Sequence, residues 1–151
     1  MKSIPGWLAI AIGLTLAACS QQPKLDEPPK IQLGIDACNE CYMLINEEKY
    51  ASAYVTTDGQ IRVFDDIGCM LKHLEKTGET PLHMWVHHFL DARWLESDSA
   101  VFLKSPALET PMGYGIIAVG KPEQADSLKG VLQGDIMPFA ELQKSLSGVK
   151  P

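Results

Sequence analysis

The first clear pattern is a period-two alternation in "YASAYVTT", residues 50–57, which is typical of a β-strand. Asp58 and Gly59 follow it, and this dipeptide is a signal for a type I′ turn. The β-rich segment "QIRVF" comes directly after the turn. The pattern therefore predicts a β-hairpin over residues 51–64.

The next segment, "DDIGCMLKHLEKTG", changes from the strand period to the helix period. Its apolar residues at 67, 70, 71 and 74 share one helical face. Asp65 or Asp66 is a suitable N-cap, and Gly78 is a stop signal. We predict a three-turn amphipathic helix, and capping with the helix dipole explains both acids without any catalytic role.

The same order recurs further along the chain. The segments "LHMWVHHFL", "SAVFLKS" and "GYGIIAVG" have strand character, as does the short apolar "CYMLI" before the hairpin. One helix is predicted to begin at Pro122, and a last short helix is predicted to begin at Pro138. Strand, strand and helix near 51–76 thus correspond to strand, strand and helix near 99–132. The predicted class is α+β, with two related halves, each a β-hairpin plus a helix.

The N-terminus has the layout of an export signal. Lys2 precedes an apolar run that ends in small residues before Cys19, which resembles the bacterial lipobox. We expect residues 1–18 to be a lipoprotein signal peptide and Cys19 to carry the lipid. Residues 19–30, rich in proline, would form a flexible tether, and residues 31–151 one domain. Ser20 favours anchoring in the outer membrane, with the domain facing the periplasm.

Charge and composition exclude several classes of function. The net charge is −6, and removal of Lys2 with the signal peptide makes it one unit more negative. An acidic chain without a basic patch is a poor partner for nucleic acid. The sequence shows neither a nucleophile–base pair nor a phosphate-binding glycine loop. We therefore predict a protein that is not an enzyme and has no small-molecule substrate.

Three cysteines remain once Cys19 is assigned to the lipid, and they allow two structural interpretations. A disulfide between Cys38 and Cys41 would leave Cys69 as a small buried apolar residue. Alternatively, Cys38, Cys41, Cys69 and His73 have the order of a treble-clef zinc site, with the last two at i and i+4 on one helix. Either arrangement would give an interaction module without any copper transfer role.

Copper(I) is the alternative that uses Met43. On a strand, Cys41 and Met43 would point to the same face and present a thiolate beside a thioether. Cu(I) is a soft cation that suits these donors, whereas zinc seldom takes thioether ligands. A three-coordinate site of this kind would allow one ligand to replace another, as a metal carrier requires.

Three segments resemble the NosL-like lipoproteins: "CNECYMLI", "YASAYVTTDGQIRVFDDIGCMLKHL" and "TPMGYGIIAVG". The resemblance implies two ββαβ-like halves and a periplasmic Cu(I) chaperone that serves the assembly proteins of nitrous oxide reductase. It places the copper ligands at Cys41 and Met43, with Met112 as third donor. Cys38 and His87 are our own candidates to substitute for that third donor. Many members of this family have glycine where this chain has Tyr42, a change expected to do little harm on a strand.

Overall fold

The computed structural model describes residues 24–146, which form two sheets with three helices. The first half contains, in chain order, β1 (Ser52–Thr56), β2 (Ile61–Phe64), α1 (Ile67–Thr77), β3 (Pro81–His87) and β4 (Trp94–Glu96). The second half contains β5 (Val101–Lys104), β6 (Ile116–Val119), α2 (Pro122–Leu132), β7 (Asp135–Met137) and α3 (Phe139–Leu146). Single turns of 3₁₀-helix precede β1 and β5, at Glu48–Tyr50 and Ser97–Ser99.

The two halves repeat one topology. In the first sheet the strand order is β2-β1-β3-β4, and in the second it is β6-β5-β7. In each half the first strand is central and pairs antiparallel with both the next strand and the strand after the helix. This confirms the prediction of an α+β fold with two related ββαβ-like halves. The short strands β4 and β7, three residues each, were not predicted.

The predicted hairpin is present, but its turn differs from the prediction. Thr56 N–H donates to the carbonyl of Gln60, and Gly59 N–H donates to the carbonyl of Thr56. Gly59 has a φ of 83°, whereas Asp58 is not among the residues with positive φ. A type I′ turn needs positive φ at both central residues. The loop is instead a three-residue connection with glycine at its left-handed position.

Local signals define the helix ends as expected. The Asp66 carboxylate accepts a hydrogen bond from Gly68 N–H and is the N-cap of α1, while Gly78 ends the helix in the left-handed conformation. Pro122 is at the start of α2, where a backbone N–H would have no intrahelical acceptor, so proline costs no hydrogen bond there. Helix α3 begins at Phe139, one residue after the predicted start at Pro138.

One hydrophobic core joins the halves. Tyr54, Phe64 and Met70 from the first half share a buried cluster with Phe102 and Leu142 from the second. Burial of each such side chain contributes roughly 1.5–3 kcal/mol. Both sheets and this core lie within residues 24–146, so a chain that begins at Ser20 retains every helix and strand described above.

The predicted signal peptide and the lipidated Cys19 lie outside the described residues. Residues 24–30 contain neither helix nor strand. No helix within residues 24–146 has both the length and the apolar character needed to cross a membrane.

Candidate metal centre

The segment from Cys38 to Met43 forms a tight turn, whereas the sequence predicted a strand that includes Cys41 and Met43. Tyr42 N–H donates to the carbonyl of Cys38 (N–O distance 3.0 Å), and Cys38 N–H donates to the carbonyl of Met43 at 2.8 Å. The only ladder contact of this segment among the described residues is an isolated bridge between Ala37 and Leu44. The prediction that a strand places Cys41 and Met43 on one face is therefore wrong.

The turn places Tyr42 in an unusual backbone conformation. Its φ is 64°, in the left-handed region that favours glycine, and its side chain is 77% exposed. The glycine that the resemblance would place at this position would adopt this backbone without strain. A strand with Tyr42 on its opposite face does not occur here.

Replacing Tyr42 with glycine should leave the protein equally stable or make it up to about 1 kcal/mol more stable. Left-handed backbone costs a non-glycine residue roughly 1–2 kcal/mol, and the entropy that glycine gains in the unfolded chain offsets part of this. Urea unfolding of the metal-free, reduced protein would measure the difference. Tyr42→Val is the matched contrast and should be destabilised, because a β-branched side chain adapts poorly to positive φ. Equal losses in both variants would contradict this account.

The turn brings its two cysteines next to the start of α1. The Sγ atoms of Cys38, Cys41 and Cys69 and a carboxylate oxygen of Asp65 all lie within 4.8 Å of one another. Cys38, Cys69 and Asp65 are buried, whereas Cys41 is partly exposed. All three cysteines are free thiols, so the proposed disulfide between Cys38 and Cys41 is not formed. We call these four residues the thiol cluster.

The thiol cluster favours one thiolate before any metal arrives. Hydrogen bonding from the Cys69 thiol lowers the pKa of Cys38 to about 7, despite the opposing effect of burial. Backbone amides, those of Cys41 and Glu40 among them, lower it further. Burial raises the pKa of Cys41 to about 12, and the pKa of Cys69 is raised mainly by its hydrogen bond to Cys38. A cation would displace the remaining protons, since thiolates are the metal ligands.

Asp65 was assigned to helix capping from the sequence, and the structure corrects this. Asp66 is the cap, while Asp65 Oδ2 accepts a hydrogen bond from the Cys41 thiol at 3.3 Å. The side chain of Asp65 is 3% exposed, and its Oδ1 atom has no hydrogen-bond partner within the described part of the chain. A buried oxygen without a partner costs free energy unless a ligand or water binds it. Asp65 therefore belongs to the site.

A loop from the second half reaches the same helix start. Both the hydroxyl of Thr110 and the backbone N–H of Met112 donate to Asp66 Oδ2, at 2.6 and 3.1 Å. The ring of Tyr114 lies on Gly68, where an added Cβ would be only 2.0 Å from Tyr114 Cγ. This loop thus holds Met112, which is 38% exposed, beside the helix turn that carries the thiol cluster.

The two predicted histidine ligands are not part of the cluster. His73 Nδ1 lies 2.8 Å from a carboxylate oxygen of Glu40, so the fourth candidate ligand among the described residues is Asp65 and not His73. His87 is 2% exposed, and its Nδ1 lies 3.1 Å from the carbonyl oxygen of Ala51. Its ring centroid is 3.6 Å from that of Trp94. His87 is a packing residue of β3 rather than a substitute third donor.

A family model described as NosL matches residues 32–147. The chain belongs to the NosL family. The fold is similar to the crystal structure of the copper chaperone NosL from Shewanella denitrificans, with a TM-score of 0.61 and 20% identity. That similarity covers 76% of this chain and 96% of the other. No curated protein sequence matches the chain.

Membership of the NosL family confirms two predictions made from the sequence. The resemblance carried by three separate segments was correct, and so was the α+β fold that it implied. The NosL family is not a family of enzymes, which agrees with the lack of a catalytic constellation in the sequence. The thiol cluster, with its three cysteines and one acid, is therefore best interpreted as a binding site.

Proposed function

We propose that this NosL-family protein binds Cu(I) at the mouth of the thiol cluster and delivers it to the assembly pathway of a copper enzyme. The observation that carries the proposal is the position of Cys41. Its thiol belongs to a group of three free cysteines, yet it is partly exposed while Cys38 and Cys69 are buried. The related fold of a copper chaperone supports the choice of copper.

The donors around Cys41 suit a monovalent soft cation. Cu(I) prefers thiolate and thioether ligands and accepts low coordination numbers. Cys41 would supply the principal thiolate, with Met43 and Met112 as thioether donors from the exposed side. Met43 is 59% exposed and Met112 is 38% exposed. Exposed methionines are able to release one bond to the metal while an incoming ligand forms another.

The client and the location in the cell are part of the same proposal. The client would be nitrous oxide reductase, reached through its assembly proteins, as the NosL resemblance implies. A lipid on Cys19 would anchor the chain to a membrane, in this proposal the outer membrane, with the domain in the periplasm. The acidic surface, with a net charge of −6, is consistent with partners other than nucleic acid.

The test is a titration of the reduced chain from Ser20 onward with Cu(I) against a coloured chelator, without air. We expect one Cu(I) per chain, with affinity at least tenfold weaker in Cys41→Ser, because the exposed thiolate is lost. Met43→Leu and Met112→Leu should each weaken binding several-fold while the fold is retained. Met84→Leu, at a half-buried methionine of β3, is the matched control and should change nothing.

Two results would overturn the proposal. Failure of the parent protein to compete with even a weak chelator would exclude a Cu(I) carrier. Equal losses in Met84→Leu and Met43→Leu would exclude a specific role for the thioether. Transfer of the bound copper to copper-free nitrous oxide reductase or its assembly proteins would then test the client.

A further inference from the structure

The thiol cluster contains one donor that Cu(I) does not need. Asp65 offers carboxylate oxygens, which are hard ligands, whereas Cu(I) selects sulfur. Zinc binds thiolate and carboxylate together and takes four ligands in a tetrahedron. The donor set of Cys38, Cys41, Cys69 and Asp65 therefore matches a second class of cation as well as the proposed cargo.

The spacing of the four donors is close to that of a tetrahedral site. Zinc–sulfur bonds of about 2.3 Å place two sulfur ligands roughly 3.8 Å apart, and a carboxylate oxygen about 3.5 Å from each sulfur. The four donor atoms of the thiol cluster already lie within 4.8 Å of one another. Contraction by about 1.3 Å or less, through small side-chain rotations, would close the site around an ion.

Burial and charge give a second and independent argument. The Asp65 side chain is 3% exposed, and its Oδ1 atom has no hydrogen-bond partner among residues 24–146. Three thiolates and one carboxylate would place four negative charges in a poorly solvated space. A divalent cation neutralises more of that charge than a monovalent one, and it also supplies a partner for the carboxylate.

We propose that the thiol cluster also binds a divalent d¹⁰ cation of the zinc class, held by Cys38, Cys41, Cys69 and Asp65. Asp65 is then the residue that determines specificity, because it is a ligand for the divalent ion and a bystander for Cu(I). The site differs from the predicted treble-clef set in its fourth ligand, since His73 is bonded to Glu40. It does not require the proposed copper role, although the two cations would compete for Cys41.

The test compares Zn²⁺, Co²⁺ and Cu(I) binding to the reduced chain from Ser20 onward, in the parent protein and in Asp65→Asn. For the parent we expect one Zn²⁺ per chain and a tetrahedral Co²⁺ spectrum with thiolate charge-transfer bands. Asp65→Asn should weaken Zn²⁺ and Co²⁺ binding at least tenfold and change Cu(I) binding less than threefold. Glu40→Gln, which removes a charge beside the cluster but no ligand, should change neither metal more than threefold.

Unchanged Zn²⁺ affinity in Asp65→Asn, or equal losses of Zn²⁺ and Cu(I), would overturn the role of Asp65. If the variant does not fold, X-ray absorption of the zinc-loaded parent decides instead, since the proposal requires three sulfur donors and one oxygen donor. A parent that binds Cu(I) but not Zn²⁺ would overturn this inference and leave the proposed function intact. A parent protein that binds Zn²⁺ but not Cu(I) would overturn the proposed function and leave this inference intact.

Discussion

Replacing Asp66 with alanine should lower the free energy of unfolding by about 4 kcal/mol, because three donors lose one buried acceptor. Gly68 N–H would lose its cap, and the Thr110 hydroxyl and Met112 N–H would lose their bonds to Oδ2. Loss of the cap costs about 1 kcal/mol, and each of the other donors left without a partner costs about 1–2 kcal/mol. Urea unfolding of the metal-free protein measures the sum.

Two further variants separate the roles of Asp66. Asp66→Asn keeps one oxygen for the cap but offers the loop an amide in place of the second oxygen, so it should lose about half as much stability. Asp126→Ala removes an exposed acid of α2 and should stay within about 0.5 kcal/mol of the parent. If Asp66→Ala lost less than about 1 kcal/mol, the carboxylate would not hold the loop. Freed from Asp66, Met112 should also contribute less to Cu(I) affinity.

The second large effect is expected at Gly115, which precedes β6. Its φ is 66°, and a Cβ there would lie 2.2 Å from the carbonyl oxygen of Ser105. That carbonyl cannot move away freely, because Ser105 N–H donates to the carbonyl of Gly115 at 2.9 Å. Gly115→Ala should therefore lose about 2–5 kcal/mol, the sum of left-handed strain and a backbone overlap. Thermal or urea unfolding would show the loss.

Substitutions at two other glycines separate the cost of left-handed strain from the cost of the backbone overlap. Gly113 also has positive φ, at 72°, but a Cβ there meets nothing within 4 Å, so Gly113→Ala should show only the strain of about 1–2 kcal/mol. Gly130 lies within α2 with open space around it, and Gly130→Ala should stabilise the protein by about 0.5–1 kcal/mol. Equal losses at Gly115 and Gly113 would show that the Ser105 carbonyl yields easily.

The elements that the sequence predicted correctly are those with local chemical signals. Asp66 and Gly78 define the ends of α1, and Pro122 defines the start of α2. These residues act within a few positions along the chain, so their meaning does not depend on the rest of the fold. Strands β4 and β7 have only three residues each and carry too few positions for any period to be visible.

The site was harder to predict because its decisive contacts are distant in sequence. Asp65 and Asp66 are adjacent and identical, yet one bonds Cys41, 24 residues away, and the other bonds Thr110, 44 residues away. The turn at Tyr42 was hidden, since a large aromatic residue gives no signal for left-handed backbone. The helical spacing of Cys69 and His73 was sound, but Glu40 binds the histidine through a contact that no spacing rule contains. The three cysteines of the cluster were all among the predicted ligands.

The repeated topology gives equivalent positions with unequal chemistry. Asp65 and Asp66 join β2 to α1, whereas Gly120 and Lys121 join β6 to α2. Cys69, the third residue of α1, corresponds to Gln124 in α2, whose side-chain oxygen lies 3.1 Å from His88 Nε2. The fold therefore has approximate internal symmetry, but the thiol cluster lies in the first half and has no equivalent in the described second half. Among residues 24–146 all three cysteines lie in the first half, so under the proposed copper role a partner would have to dock on that half to receive the metal.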